Sequence, residues 1–284
     1  MSAVKLYVQS ILKHAGIYQR VKASAVYDLY WGFANRQLIK GRDSEVKFYR
    51  NLPLGFQRGD TIFDIGANAG EKTDVFLRVG ARVVAVEPDE RNQEILRGKY
   101  LEHRMFPKPV VIVGQAVSDE VGFETMWIDE PGAALNTLSQ KWAETLKGDK
   151  KRFEHTRCKL EFTHGKSIKT TTLEQLMITH GLPFFVKIDV EGYELNVLRG
   201  LRRSVPYLSF EINLPEFRQE GLECIEVLLR LDSAGQFNYA SNCKQGLALD
   251  RWVDSRQISQ TLDRCGESCI EVFWRAPVAR CKNA

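Results

Sequence analysis

Two groups of residues in this sequence have the types and spacing of a small-molecule site. The first is residues 64–70, which read Asp-Ile-Gly-Ala-Asn-Ala-Gly and join a short apolar strand to a helix. Glycines let the backbone approach a ligand closely, and a helix start offers free N–H groups. Glu87 ends the next strand, where a carboxylate can accept hydrogen bonds from both hydroxyls of a ribose. Because Asn68 replaces the second glycine of the dinucleotide pattern, the segment predicts an adenosine-containing ligand other than NAD.

The second group follows two later strands of the chain. Lys187 and Asp189 share one face of an apolar strand, and Glu211 and Asn213 share a face of the next strand. A buried lysine needs a partner, so we predict that Lys187 pairs with Asp189 or Glu211. Asp189 lies at the carboxyl end of its strand, where open α/β sheets bind ligands. It is the candidate catalytic base for a hydroxyl proton, worth roughly 10²–10⁴-fold in rate. The alternative is that it only neutralises Lys187.

The same acidic residues allow a metal site as an alternative. Asp189, Glu191, Glu211 and Asn213 offer the oxygen ligands that Mg²⁺ prefers. Nothing in their spacing requires a metal, so Mg²⁺ is an optional cofactor and no residue is assigned as a metal ligand. The spacing of the cysteines and histidines does not fit a structural zinc site.

The elements that position these residues follow an alternating pattern. From residue 61 onward, short apolar strands alternate with helices, which is typical of a doubly wound parallel sheet. Thr172 and Gln175 have the spacing of a capping box at a helix start. Residues 130–165 lose periodicity and are expected to form an insertion or a lid. We also expect a hairpin around Gly122 and a C-terminal pair of strands, antiparallel at the sheet edge, at 237–240 and 270–274.

These segments resemble the FkbM family of S-adenosylmethionine-dependent methyltransferases. Residues 64–70 resemble the first motif of the family, 86–88 the second, and 187–194 its most specific motif. The resemblance implies a class I methyltransferase fold: a Rossmann-like, doubly wound, mostly parallel seven-stranded sheet with an antiparallel C-terminal edge strand. A helical N-terminal extension, residues 1–55, would precede a methyltransferase domain of residues 56–284.

The resemblance also implies a cofactor and a reaction. S-adenosylmethionine would be the methyl donor, with Asp64 orienting its amino-acid portion, Asn68 bonding its carboxylate and Glu87 holding its ribose. The implied reaction is O-methylation of a small-molecule or glycan acceptor, namely a sugar, a glycolipid or a secondary metabolite. Two glycines would admit the cofactor, and a Gln-Ala pair would contact its adenine. The full implied set is Asp64, Gly66, Asn68, Gly70, Glu87, Gln115 and Ala116.

Charge and composition indicate which binding partners and which cellular compartment to expect. Residues 1–60 hold ten Lys or Arg against four Asp or Glu, and residues 147–169 hold eight against three. Such patches attract anionic surfaces, although a solvated face explains each patch equally well. We expect peripheral contact of the N-terminal helices with an acidic membrane. The six cysteines and the lack of a signal-peptide core predict reduced thiols and a cytoplasmic protein.

Two other functions stay open at this point. One is a nucleic-acid methyltransferase, which the basic patches favour. Residues 189–192 read Asp-Val-Glu-Gly and lack the Asn/Asp-Pro-Pro-aromatic tetrad of base N-methylation, so a nucleic-acid partner is disfavoured. The other is a non-catalytic cofactor-binding module that the basic N-terminus tethers to a membrane or a partner.

Overall fold

The structure is a computed structural model that describes residues 36–52, 55–100, 109–148, 160–162 and 164–277. The predictions for the N-terminal helices before residue 36 and for the basic segment at 149–159 lie outside the described residues. Within those residues, no helix has both the length and the apolar character needed to cross a membrane.

The described residues form ten strands and eight helices. The strands are β1 (Thr61–Ile65), β2 (Arg82–Val86), β3 (Val110–Val113), β4 (Ala116–Val117), β5 (Gly122–Ile128), β6 (His164–Thr171), β7 (Phe185–Ile188), β8 (Tyr207–Asn213), β9 (Gln236–Ala240) and β10 (Cys269–Arg275). The helices are α1 (Arg36–Asn51), α2 (Glu71–Val79), α3 (Glu90–Tyr100), α4 (Gln140–Gly148), α5 (Leu173–His180), α6 (Glu194–Arg199), α7 (Arg218–Leu231) and α8 (Ser255–Arg264).

Seven strands form the central sheet in the order β3-β2-β1-β7-β8-β10-β9. The first five in this order run parallel, and β10 is antiparallel to both β8 and β9. The antiparallel C-terminal strand therefore lies one position in from the edge strand β9. This doubly wound, mostly parallel sheet confirms the fold class that the sequence predicts.

The central strands are apolar on both faces because helices cover both sides of the sheet. Alternate residues of one strand enter different cores: Phe63 and Ile65 belong to one apolar cluster, and Ile62 belongs to the other. The last turns of α1 also belong to this body. The ring of Tyr49 packs edge-to-face on Phe76 and Phe185 in the second cluster.

A second, three-stranded sheet has the order β4-β6-β5, and its strands lie between β3 and β7 in the sequence. The predicted hairpin around Gly122 is wrong, because β4 and β5 do not pair with each other and both pair with β6. The sequence of β6 is His-Gly-Lys-Ser-Ile-Lys-Thr-Thr, whose single large apolar residue leaves no hydrophobic alternation to detect. The non-periodic segment 130–165 contains α4 and the first residues of β6.

The local predictions had mixed outcomes. The capping prediction is confirmed, since Thr172 Oγ1 accepts a hydrogen bond from the backbone N–H of Gln175 at 3.0 Å. The C-terminal strands pair antiparallel as predicted. Between them, α8 begins at an Asp254 cap that the sequence analysis did not identify.

Candidate functional site

The loop after β1 brings the ends of three strands together. Gly66 has a φ of +81°, and a Cβ there would lie 1.8 Å from the backbone oxygen of Asp189. No side chain fits in that gap, so glycine alone allows the loop to lie against the end of β7. The N–H groups of Gly66 and Ala67 both donate to Val86 O at 3.0 Å, which ties the loop to the end of β2.

Glu87 lies directly beneath this loop. Its Oε2 accepts a hydrogen bond from Asn68 N at 2.7 Å, and its Oε1 accepts one from Asp89 N at 2.8 Å. Burial raises the pKa of the Glu87 carboxyl to about 7, and the two backbone N–H groups offset part of this rise. The Asn92 side chain also stabilises the ionised carboxylate, but a carboxylate has about four lone-pair sites, so Glu87 can still accept a hydrogen bond from a ligand.

A cavity of about 400 Å³ opens between this loop and the ends of the strands. Five of the seven residues that the resemblance implies for the cofactor lie in its wall: Gly66, Asn68, Glu87, Gln115 and Ala116. The candidate base Asp189 lines the same cavity. The structure thus brings these six residues together, and their individual roles stay predictions.

Asp64 and Gly70 do not line the cavity. The Asp64 carboxylate is 1% exposed and accepts a hydrogen bond from Thr73 Oγ1 at 2.6 Å, which ties β1 to α2. Burial raises its pKa, and the Thr73 hydroxyl and Lys187 offset part of this effect. Gly70 caps α2 with a φ of +80°, and a Cβ there would lie 2.7 Å from Leu96. Both residues therefore support the conformation of the loop without lining the cavity.

The predicted ion pair of Lys187 is confirmed. Its Nζ lies 2.7 Å from Asp189 Oδ2, and the lysine residue is 1% exposed. Burial lowers the pKa of Lys187, but the carboxylates of Asp189, Glu271 and Glu211 raise it by more, so the lysine is a cation. The Asp189 side chain is 28% exposed and faces the cavity, and its backbone N–H donates to Ile65 O.

Two further carboxylates lie near Asp189. One oxygen each of Asp189, Glu191 and Glu211 falls within 4.8 Å of the others. Burial and the Asp189 charge raise the pKa of Glu211 to about 7 and that of Glu191 well above its usual value. Two of the three already have positively polarised partners, since Lys187 Nζ bonds Asp189 and the Trp142 indole N–H donates to Glu191 Oε2 at 3.1 Å.

The loop of residues 129–139, here called the strap, crosses one side of the cavity. Asp89 Oδ2 accepts hydrogen bonds from Gly132 N at 3.0 Å and from Asn136 Nδ2 at 3.2 Å. At the other end, Thr137 Oγ1 donates to the backbone oxygen of Glu191 at 2.6 Å. The strap is therefore fastened beside Glu87 at one end and beside Asp189 at the other.

The insertion or lid predicted at 130–165 contains most of the strap, but sequence reasoning named none of the strap residues that line the cavity. Ala133, Ala134, Asn136 and Leu138 line the cavity from the strap. Asn92 lines it from the first turn of α3. Only Asp89 could have been recognised from the sequence, as the cap of α3. Its Oδ1 accepts hydrogen bonds from the backbone N–H groups of Arg91 and Asn92, as helix-capping residues do.

Comparisons with known proteins give one family match. A family model described as the methyltransferase FkbM domain matches residues 64–266. No curated protein matches the chain significantly.

A search of solved structures also returned matches, for which we give the identity, the share of this chain covered, the share of the other chain covered and the TM-score. A precorrin-6y C5,15-methyltransferase from Geobacter metallireducens has 9% identity, coverages of 85% and 89%, and a TM-score of 0.39. A SAM-dependent O-methyltransferase from Thermotoga maritima has 15% identity, coverages of 83% and 64%, and a TM-score of 0.38. The plantazolicin methyltransferase BpumL, solved with SAH, has 9% identity, coverages of 95% and 100%, and a TM-score of 0.39. Because all three TM-scores are below 0.5, the family assignment rests on the family model.

Proposed function

Because the chain belongs to the FkbM methyltransferase family, we propose that it transfers a methyl group from S-adenosylmethionine to a hydroxyl of a sugar, a glycolipid or a secondary metabolite. The observation that carries this proposal is the joint placement of Glu87 and Asp189. One carboxylate suits a ribose and the other suits a hydroxyl acceptor, and both line one cavity of about 400 Å³. The loop after β1 connects the two strand ends that carry them, because Gly66 N donates to Val86 O and Asp189 N donates to Ile65 O.

The chemistry of the wall fits the proposed cofactor. Glu87 keeps lone-pair capacity for a ribose hydroxyl beyond the two backbone N–H groups from which it accepts. Asn68 would bond the amino-acid carboxylate, and Gln115 with Ala116 would contact the adenine. Asp64 does not line the cavity, so it would act on the amino-acid portion only through water.

When bound, S-adenosylmethionine supplies an electrophilic methyl group on a positively charged sulfur. Asp189 would accept the proton of the acceptor hydroxyl as its oxygen attacks that methyl carbon. Lys187 would hold Asp189 Oδ2 in place, which leaves Oδ1 for the acceptor. The strap would keep water away from this step, because its two fastenings close one side of the cavity.

The proposal needs no metal for the proton transfer. Among the described residues, the carboxylates of Asp189, Glu191 and Glu211 are close enough together to suit Mg²⁺, but Lys187 already supplies a positive charge there. Mg²⁺ bound by Asp189, Glu191 and Glu211 is the alternative, in which the metal would acidify the hydroxyl. The basic N-terminal region would bring the enzyme to acidic membranes, and glycolipid acceptors lie in that setting.

The test is methyl transfer from S-[methyl-¹³C]adenosylmethionine to a panel of sugars and extracted glycolipids, followed by mass spectrometry and carbon NMR. We expect the label on an acceptor oxygen, and a fall of roughly 10²–10⁴-fold in rate for Asp189→Asn. Asp250→Asn, an exposed carboxylate in a loop away from the cavity, is the matched control and should retain the rate. Label found only on the bases of added RNA or DNA would replace this proposal with the nucleic-acid alternative.

A further inference from the structure

Glu191 is a second carboxylate in the wall of the cavity, two residues beyond the candidate base Asp189. It lies in the turn after β7 with a φ of +55°, and Thr137 Oγ1 donates to its backbone oxygen at 2.6 Å. The Trp142 indole N–H donates to its Oε2 at 3.1 Å. The strap therefore holds the backbone of Glu191 and α4 holds its side chain, so the carboxylate has a defined position in the cavity wall.

Each of these two carboxylates keeps one oxygen for a ligand. Lys187 Nζ donates to Asp189 Oδ2, and the indole of Trp142 donates to Glu191 Oε2. No described residue donates to Asp189 Oδ1 or to Glu191 Oε1, and neither oxygen is among the unpaired atoms that the described part of the chain shields from solvent. Both residues are part-exposed and line the cavity, so a ligand can reach both oxygens.

The spacing of the two carboxylates fits a pair of neighbouring hydroxyls. One oxygen of Asp189 and one of Glu191 lie within 4.8 Å of each other. Hydrogen bonds of ~2.8 Å can spread from two adjacent hydroxyl groups to two partners at such a distance. A hydroxyl donates to an ionised carboxylate and accepts from a protonated carboxyl, so the match to Glu191 holds in either protonation state.

An aromatic ring lines the cavity close to the two carboxylates in the chain. Tyr193 follows Glu191 by two residues and is part-exposed in the cavity wall. Its hydroxyl shares a hydrogen bond with Ser118 Oγ at 3.1 Å, so the ring is the part of Tyr193 that is left for a ligand. A sugar ring presents both adjacent hydroxyl groups and an apolar face of C–H groups that can pack on an aromatic ring.

We propose that Glu191 Oε1 forms a hydrogen bond with an acceptor hydroxyl next to the one whose proton Asp189 takes, and that the acceptor is a sugar ring with two neighbouring hydroxyls. Glu191 selects the acceptor and orients the reacting oxygen, while the proton goes to Asp189. A compound with a single isolated hydroxyl uses only one of the two carboxylates and binds more weakly. This inference rests on the proposed function and narrows its acceptor class to sugars with a vicinal diol.

The test compares acceptors that differ by one hydroxyl. The whole protein and S-adenosylmethionine are incubated with methyl glycosides of the common hexoses and 6-deoxyhexoses, and carbon NMR locates the methylated position in the best acceptor. Its monodeoxy derivatives, each without one hydroxyl next to that position, are the comparison acceptors. The value of kcat/KM for each acceptor is measured in the wild type and in Glu191→Met, which keeps the length of the side chain and removes its oxygens.

Two further variants make the comparison decisive. Glu191→Leu removes the same oxygens with a different shape and serves if the methionine variant does not fold. Glu144→Met is the matched control, because Glu144 is an exposed glutamate of α4 that accepts a hydrogen bond from Gln140 and does not line the cavity. Calorimetric titration with S-adenosylhomocysteine checks that every variant is folded and binds the cofactor.

We expect the wild type to prefer the parent glycoside over one monodeoxy derivative by about tenfold or more in kcat/KM. In Glu191→Met and Glu191→Leu this preference should fall to within about twofold, which completes a double-mutant cycle between the residue and the hydroxyl. Glu144→Met should keep the preference of the wild type. All variants should bind S-adenosylhomocysteine like the wild type, because Glu191 serves the acceptor.

Several results overturn the inference and leave methyl transfer from S-adenosylmethionine intact. One is a wild type that methylates parent and monodeoxy glycosides equally well, or that binds S-adenosylhomocysteine and methylates no glycoside. Another is an equal loss of rate for all acceptors in the Glu191 variants, which would assign Glu191 to structural support or to a metal. Loss of S-adenosylhomocysteine binding in those variants would assign it to the cofactor. A folded wild type that binds no S-adenosylhomocysteine would overturn the proposed function together with this inference.

Discussion

Glu87 should make cofactor binding depend on pH between about 6 and 8. Burial raises the pKa of this carboxyl from 4.5 to about 7 in the free protein. A shift of that size corresponds to roughly 3 kcal/mol of penalty on the charged form. The ionised carboxylate is the stronger acceptor for ribose hydroxyls, so a bound ligand should lower the pKa again. Binding below pH 7 must then release a proton.

The assay is titration calorimetry with S-adenosylhomocysteine in pairs of buffers that differ in ionisation enthalpy. If only the ionised form binds, the dissociation constant should be about tenfold larger near pH 6 than near pH 8. The released protons should fall from almost one per ligand near pH 6 to almost none near pH 8. Glu87→Gln should bind more weakly and lose this proton release. A wild-type protein that releases no proton near pH 6, or a Glu87→Gln protein that releases as many, would refute the reasoning.

The same shift predicts the pH dependence of folding. Because the folded-state pKa of Glu87 is raised, its contribution to stability is fully present below the unfolded-state value of 4.5. That contribution is lost as the pH rises through about 7. Saturating S-adenosylhomocysteine should restore part of it, so the ligand-induced rise in melting temperature should be larger near pH 8 than near pH 6.

Three further perturbations test other parts of the site. Gly66→Ala places a Cβ against Asp189 O at a φ of +81°, so it should abolish S-adenosylhomocysteine binding and lower the melting temperature. The control is Gly98→Ala, where a Cβ meets open space. It should bind the ligand normally and gain up to about 1 kcal/mol of stability. Normal binding by Gly66→Ala would contradict the described loop. Thr137→Val removes the hydroxyl that donates to Glu191 O. Because such a bond contributes about 1 kcal/mol, backbone hydrogen exchange in residues 129–139 should become about fivefold faster. Unchanged exchange would show that other contacts hold the strap. Removal of divalent metal with a chelator should leave the methylation rate within about twofold, and a loss that added Mg²⁺ reverses would favour the metal alternative.

The parts of the site that sequence reasoning predicts are those with local or strand-periodic signals. Lys187 and Asp189 lie two residues apart on a strand, so their shared face follows from the pleat alone. A buried lysine then needs a carboxylate, and the 2.7 Å ion pair with Asp189 is the result. The glycine at position 66 is likewise interpretable from its place between a strand and a helix, where the backbones of β1 and β7 converge.

The parts that sequence reasoning misses depend on contacts between distant segments. Asp89 caps α3 locally, yet its second oxygen holds the strap, whose composition gives no periodic signal. Asn92 looks like an ordinary helical residue until the strap buries it. Gly122 suggested a turn because glycine commonly does, and the distant β6 decided the pairing instead. Asp64 belongs to a binding motif in the sequence, but its carboxylate accepts a hydrogen bond from Thr73 and does not line the cavity.

The measurement that tests the central claim most directly is calorimetric titration of the wild-type protein with S-adenosylhomocysteine and, separately, with NAD. A Glu87→Ala variant and the Asp250→Asn control complete the set. The site described here predicts one molecule of S-adenosylhomocysteine bound per chain, no measurable binding of NAD, loss of binding in Glu87→Ala and full binding in Asp250→Asn. A folded wild-type protein that does not bind S-adenosylhomocysteine, or that binds it equally well without Glu87, would contradict the account.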